Sequence, residues 1–413
     1  MGIKEQIPSF GYFSTINIFA ALSYIVYFSA NSFQIDDNLL FGSPDSREYF
    51  RAGIDLWNGT FGEAAARRPL LYPIFLLITH GAGGSKTIWI AQIIAWLISA
   101  NLIASAAYVI TRKKTYYLLA GFGFLINFSI MSMTMQALTE IITILLLSIL
   151  IFYIARNFQI RQNPRFILTI VLLLSLLTVL RPVFIHILAL SLIAALFFYH
   201  KTFMKKPTTI LILFISLIPV LAQITVMKQN YNILGISRIS DDTLRFYLVT
   251  RAMHDEFHPV YDSTAYQETM KVAATLSKAE ILNHMFENPL LYASQIQNNL
   301  IDNIRASSPF LPQNGHLVRF MKHLNNAYFL VHFAALITLI FFAIRLRKQF
   351  VSKLLLAIIF LIPGWYIILT SGISFWQGDR LILPAWPLCL IAYLILIHEL
   401  LILKKESKLS IAK

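Results

Sequence analysis

Apolar residues along this chain fall in long blocks, with polar and charged residues gathered in the gaps between them. A helix that crosses a bilayer needs about 20 mostly apolar residues. Ten blocks approach that description, at 10–30, 86–110, 116–132, 134–155, 166–180, 183–199, 208–227, 326–344, 351–370 and 384–403. The stretch 166–199 is too long for one crossing, and Arg181-Pro182 divides it into a hairpin of two short spans. Proline lacks the N–H that a helix interior needs and disfavours helix in the residue before it. The piece from Pro69 to Thr79 is apolar but too short to cross, so an interfacial or re-entrant segment is expected there. The pattern predicts an all-α integral membrane protein with about ten transmembrane helices, interfacial helices on the outer face and a helical external loop.

Composition agrees with a bilayer setting. The chain is 57% hydrophobic and 13% charged, where soluble domains carry about a quarter charged residues. Apolar blocks recur almost from end to end, so residues 1–413 read as one membrane-embedded body. The net charge of +14 raises the question of nucleic acid. No long Lys/Arg tract is interleaved with stacking aromatics, so a nucleic-acid partner is not expected. The charge is sided instead. With the N-terminus inside, the connections on one face carry only Glu5, Glu399 and Glu406 as acids and hold all of the excess Lys and Arg. The positive-inside rule makes that face, and with it both termini, cytoplasmic. The first span, preceded by Lys4 and lacking a small-x-small cleavage site, reads as an uncleaved signal anchor. Cys389, the single cysteine, rules out an internal disulfide and a cysteine-based metal site.

Two substantial loops then face outward, about 31–85 and about 228–325. The second reads as short amphipathic helices with turns at Asn288-Pro289, Ser308-Pro309 and Leu311-Pro312-Gln313-Asn314-Gly315. The first holds Ser43-Pro44-Asp45-Ser46-Arg47-Glu48-Tyr49 and then Arg67-Arg68-Pro69-Leu70-Leu71-Tyr72-Pro73. If 46–57 is a short helix on the membrane, Asp45 is expected as its N-cap, with Tyr49 one turn away on the same face. Glu140 falls about 9 Å inside the outer end of its span at 1.5 Å per residue. An acid at such depth usually faces a polar cavity, or else pairs with a buried arginine such as Arg181. Arg380 has a bland alternative as a local pair with Asp379, and Tyr72 and Trp376 have one as interfacial anchors. Asp36-Asp37 and the His254, His258 spacing are weak metal signals, and no metal site is expected from them.

An early acidic residue in the first external loop, a tyrosine four residues on, and a basic-Pro-x-x-Tyr-Pro run before the next span resemble the GT-C superfamily. These are polytopic glycosyltransferases that use polyprenyl-phosphate sugars, among them protein mannosyltransferases and the aminoarabinose transferases of lipid A. The resemblance is densest over 43–76 and extends to Leu138-Thr139-Glu140, Leu180-Arg181-Pro182 and Gly378-Asp379-Arg380-Leu381. It leaves 228–325 unmatched. It implies a GT-C-like fold and inverting transfer from a lipid-phosphate sugar donor to a glycan, lipid or protein acceptor of the envelope. The site would lie on the periplasmic side of a bacterial inner membrane and need no obligatory cofactor or divalent metal. It also implies Asp45 as general base, Arg68 and Arg380 with Arg181 as donor-phosphate contacts, and Tyr49, Glu140 and Tyr72 against substrate. Two other classes stay open: a flippase or transporter for a lipid-linked saccharide, and an O-antigen polymerase or ligase. The last would rest on Arg319 and His316 of the late loop rather than on Asp45.

Overall fold

A computed structural model describes residues 10–30, 34–161, 163–258, 262–306, 315–345, 351–375 and 377–411. Trp376, Lys4, Glu5, the Ser308-Pro309 turn and residues 311–314 lie outside the described residues. Every regular element among those described is helical. In chain order, α1 (Phe10–Ala30) leads to three short helices, α2 (Asp37–Leu40), α3 (Pro44–Trp57) and α4 (Glu63–Arg67). Next come α5 (Leu71–Thr111), α6 (Lys114–Leu125), α7 (Phe128–Ser132), α8 (Glu140–Asn157), α9 (Pro164–Leu180), α10 (Ile185–Lys205) and α11 (Pro207–Tyr231). A run of small helices follows: α12 (Ile239–Thr243), α13 (Thr250–Phe257), α14 (Ser263–Thr275), α15 (Lys278–Glu287) and α16 (Pro289–Arg305). The chain closes with α17 (Gly315–Arg345), α18 (Val351–Ser371) and α19 (Ala385–Ile411).

Among the described residues eight helices are long and apolar enough to cross a membrane, and α6 with the bent α7 segment adds a ninth if the pair is one span. The apolar α9 is shorter than that measure. The count falls below the ten expected because the block 116–132 is bent by 56° between α6 and α7 and because α9, in the block 166–180, has only 17 residues. The block 134–155 does hold a span, but one that starts late. Helix stops at Ser132, a 3-10 turn covers Met133–Met135, and α8 starts only at Glu140. The irregular backbone is satisfied from outside: Ala137 N donates to Leu40 O at 2.9 Å, Gln136 Nε2 to Leu39 O at 3.1 Å, and Gln92 Nε2 to Thr134 O at 3.1 Å. The Thr134 and Tyr24 hydroxyls pair at 2.8 Å, and Trp89 Nε1 donates to Tyr24 at 2.8 Å. Non-helical backbone is tolerated at such depth only where protein supplies its partners.

From Leu71 onward the Pro69–Thr79 piece belongs to the first half of α5, which joins the second at a break where Gly83 and Gly84 leave helical geometry. Gly84 has φ +69°, which glycine adopts without cost. The Arg181-Pro182 break is present: Arg181 is extended (φ −141°) at the end of α9 and a 3-10 turn starts α10. α5 packs along α8 and α6, and α19 along α18, around a core that includes Ile88, Trp96, Phe124, Ile144 and Phe360.

The helices α12 to α16 bury a small core of their own, Leu248, Val249, Ala252, Ala273, Ile281 and Tyr292, and form a cap. Arg238 N donates to Ala66 O at 2.9 Å and ties the cap to α4. On α16, Asn299 Nδ2 donates to Gly372 O at 3.0 Å, and Asn303 Nδ2 to Ser371 O and Ser374 O at 3.0 and 2.9 Å. The cap is thus fastened to the segment between α18 and α19. That segment ends in a 3-10 turn, Gly378–Leu381, which carries Arg380. Far along α19, roughly 21 Å from Ala385 at 1.5 Å per residue, Glu399 pairs with Lys353 at 2.8 Å. The ionisable groups are thereby separated into two ends of the bundle.

Candidate functional site

The site is assembled from α3 upward. Ser43, not Asp45, caps this helix: the Ser43 hydroxyl accepts from Ser46 N at 3.1 Å, and Pro44 takes the first helical position. The correction has a chemical consequence. A capping carboxylate would be spent on backbone N–H groups, whereas Asp45 in the first turn is left to face other side chains. Its two oxygens meet two different arginines, Oδ1 with Arg68 Nη2 at 2.6 Å and Oδ2 with Arg380 Nη1 at 2.7 Å.

Each arginine is shared with a second acid. Arg68 Nε donates to Glu48 Oε2 at 2.9 Å, and its guanidinium lies over the Tyr49 ring, 4.7 Å from the centroid. Arg380 Nε donates to Glu140 Oε1 at 2.6 Å, and Nη1 also donates to Gln377 Oε1 at 3.2 Å. Glu48 went unremarked in the sequence. It sits one helical turn from Asp45, a spacing that puts the two carboxylates on one face of α3. Arg67 extends the network by pairing with Glu48 at 3.4 Å and with Asp242 of the cap at 3.2 Å.

Glu140 is the first residue of α8 and has no exposed surface. It therefore lies at a helix start rather than a turn and more inside one, where the helix dipole favours a negative charge. Arg181 Nη1 is 3.8 Å from Glu140 Oε1, an ion pair beyond hydrogen-bond reach. Tyr72 is fully buried, with its ring edge-on to Tyr49 at 5.1 Å between centroids. Glu140 Oε2, Arg181 Nη1 and the Tyr72 hydroxyl are buried polar atoms without a hydrogen-bond partner among the described residues. Such atoms are rare in folded chains, and each asks for an explanation. All seven residues singled out from sequence, Asp45, Arg68, Arg380, Arg181, Glu140, Tyr49 and Tyr72, are brought into this one network.

Charge inside the network is matched, and the match controls protonation. Burial alone would push the Asp45 carboxyl up, but Arg380 and then Arg68 outweigh it and hold the group down at about 2. Arg380 and Arg68 are themselves held firmly charged, the carboxylates around them more than offsetting their burial. Only 8% of either arginine side chain is exposed, against 31% of Asp45. The acid is the open side of the clamp.

No family model, curated protein or solved structure matches this chain. Function therefore has to be argued from the side chains.

Asp379 does not pair with Arg380. It points the other way along the 3-10 turn, fully buried, and accepts from Ser129 Oγ at 2.5 Å and Asn325 Nδ2 at 3.0 Å. Burial pushes its carboxyl up to about 6, against the lowering effect of those bonds. Because its folded value exceeds the unfolded 3.8, the folded state binds the extra proton between those two values. Stability then falls as pH rises from about 4 through about 6. At one pKa unit per 1.36 kcal/mol, the fully ionised group costs roughly 2–3 kcal/mol. Asp379→Asn is expected to melt higher than the native chain at pH 8 and to lose that advantage at pH 4, read by thermal unfolding in detergent. An equal gap at both pH values would mean that the group does not titrate in this window.

The weak metal signals dissolve into local structure. Asp36 caps α2, accepting from Leu39 N at 2.8 Å, and Asp37 accepts from Ser85 Oγ. His254 is buried between Asp255 Oδ1 and the backbone N–H of Asp262. Among the described residues no group of three or more His, Cys, Asp or Glu is placed to hold a metal ion. Arg319 and His316 lie exposed on α17.

Proposed function

We propose that this protein is a membrane glycosyltransferase that takes its sugar from a polyprenyl-phosphate donor on the exoplasmic face. The observation that carries the reading is the clamp: two buried arginines from opposite ends of the chain close on the two oxygens of one partly open carboxylate. Arginine forks match phosphate oxygens as well as they match carboxylates, so an anionic lipid headgroup competes with Asp45 for Arg68 and Arg380. The excess of Lys and Arg on the opposite set of connections supports an exoplasmic position for the clamp.

The chemistry follows from that competition. When Arg68 and Arg380 turn to the donor phosphate, Asp45 loses the two cations that keep its proton affinity low, and becomes a usable base on the open side of the clamp. An acceptor hydroxyl gives its proton to Asp45 while its oxygen bonds to the anomeric carbon. The bond from that carbon to the phosphate oxygen breaks, and the lipid phosphate departs with the electron pair, held by the arginines. One displacement inverts the anomeric centre. Glu140, Tyr72 and Arg181 offer the unpartnered acceptor and donors that sugar hydroxyls require. The acceptor class is a glycan, lipid or protein of the envelope, and no step needs a metal.

The direct test is incubation of the purified protein with a panel of undecaprenyl-phosphate sugars and membrane extract, with mass spectrometry of the products. Release of undecaprenyl phosphate with a mass gain on an envelope component is expected. Intact donor across the panel, under conditions where the protein binds undecaprenyl phosphate, would leave a carrier for such lipids instead of a transferase.

A further inference from the structure

The cap places an aromatic residue against the segment that carries Arg380, one that neither the loop sequence nor the resemblance indicated. Tyr247 stands on a π-helical turn, Leu244–Val249, between α12 and α13. Such turns insert an extra residue into a helix and cluster at functional sites. This one is pinned on all sides. Arg245 Nη1 donates to Ala273 O at 2.8 Å and to Leu276 O, Tyr266 OH donates to Phe246 O at 2.9 Å, and Thr250 Oγ1 donates to Arg245 O at 2.9 Å. Leu248 and Val249 are buried in the cap core.

Tyr247 itself is partly buried. Its ring packs edge-on to Phe375, 5.6 Å between centroids, two residues before the Gln377 that accepts from Arg380. Burial and then the Asp45 carboxylate push the phenol up, against the pull of Arg68 and Arg380. Its hydroxyl makes no hydrogen bond to another described residue. Phe375 is itself held: Arg251 covers its ring at 4.7 Å, and Asn299 and Asn303 fasten the backbone just before it. Cap, Phe375 and the Arg380 turn are thus joined, and Tyr247 stands on that joined piece, its ring against Phe375, which lies two residues before the Gln377 that bonds Arg380.

We propose that Tyr247 is a third donor to the anionic headgroup, supplied by the external cap opposite Arg68 and Arg380. The inference rests on the donor-phosphate reading above and adds to it a ligand contact from the part of the chain the resemblance leaves unmatched. A phenol suits the place, because it donates a hydrogen bond to a phosphate oxygen without adding charge to a network whose arginines and carboxylates already balance.

The test uses the full chain in detergent with farnesyl phosphate and farnesol as probes, comparing Tyr247→Phe and Arg68→Ala with the native protein. Tyr247→Phe keeps the ring against Phe375 and removes only the hydroxyl. Binding of farnesyl phosphate is expected to weaken about 10-fold, the scale of a lost hydrogen bond to a charged group, with farnesol binding and melting temperature unchanged. Native affinity of Tyr247→Phe for farnesyl phosphate, alongside weakened binding by Arg68→Ala, overturns the role of Tyr247 alone. Equal losses for farnesyl phosphate and farnesol also overturn it, since they mark a packing defect. Native affinity in Arg68→Ala, or no phosphate binding by the native chain, removes the phosphate reading and Tyr247 with it.

Discussion

Asp45→Asn is expected to reduce sugar transfer by about 100- to 10,000-fold, the range for loss of a general base, while binding of the lipid phosphate becomes tighter. The two halves have one cause. Asp45 occupies both arginines in the resting site, at 2.6 and 2.7 Å, so a phosphate must displace it. An amide of the same shape carries no charge, and turns an N–H₂ toward one guanidinium where an acceptor stood. Arg68 keeps Glu48 and Arg380 keeps Glu140, but those acids are also shared with Arg67 and Arg181. The network is thus left one negative charge short where little of either arginine is exposed, and an incoming anion relieves that deficit. The measurement is single-turnover transfer beside equilibrium binding of farnesyl phosphate. Turnover close to native would take Asp45 out of the base role. Weakened phosphate binding would show that Asp45 orients the arginines instead of competing for them.

Low pH provides a second view of the same competition. The folded value of Asp45 is depressed to about 2 from 3.8, so its contribution to stability is complete above about 4 and is lost as pH falls through about 2. Asp379 runs opposite in sign, over the window from about 4 to about 6. Two carboxylates that bracket Arg380, one bonded to it and one next to it in the chain, thus respond to acid in opposite directions, and variants at each separate them.

What could be read from the sequence and what could not divide along a physical line. Sidedness is a local property: the apolar blocks and the distribution of Lys and Arg place Asp45, Arg68, Glu140, Arg181 and Arg380 near the same end of the helices. Proline and glycine signals are local too, and the Arg181-Pro182 break follows from them. The capping of α3 was misassigned because Ser43 and Asp45 are both good caps, and only the pull of two distant arginines decides between them. The late start of α8 is unreadable from its apolar run, because residues 134–139 are kept out of helix by partners on α1, α2 and α5. Glu48 and Tyr247 were missed for a related reason. Each becomes notable only once the arginine or aromatic ring it faces, far off in sequence, is in place.

Arg380→Ala is expected to be the most destabilising single change in the site, by roughly 3–5 kcal/mol, the cost of breaking a buried pair from one side. Arg380 holds Glu140 at 2.6 Å and Asp45 at 2.7 Å. Glu140 is fully buried, and without Arg380 its nearest cation is Arg181 at 3.8 Å. Arg380→Lys keeps the charge but replaces a fork by a point, which cannot donate along both directions at once. The Lys variant should therefore retain most of the stability and lose most of the phosphate affinity. If the damage in Arg380→Ala comes from an orphaned carboxylate, removing that charge must repair it. The double variant Arg380→Ala with Glu140→Gln is expected to melt above Arg380→Ala alone, a coupling that a double-mutant cycle reads directly. Additive losses in that cycle would mean that Glu140 draws its compensation from the start of α8 and Arg181, and that Arg380 is free to serve the headgroup alone.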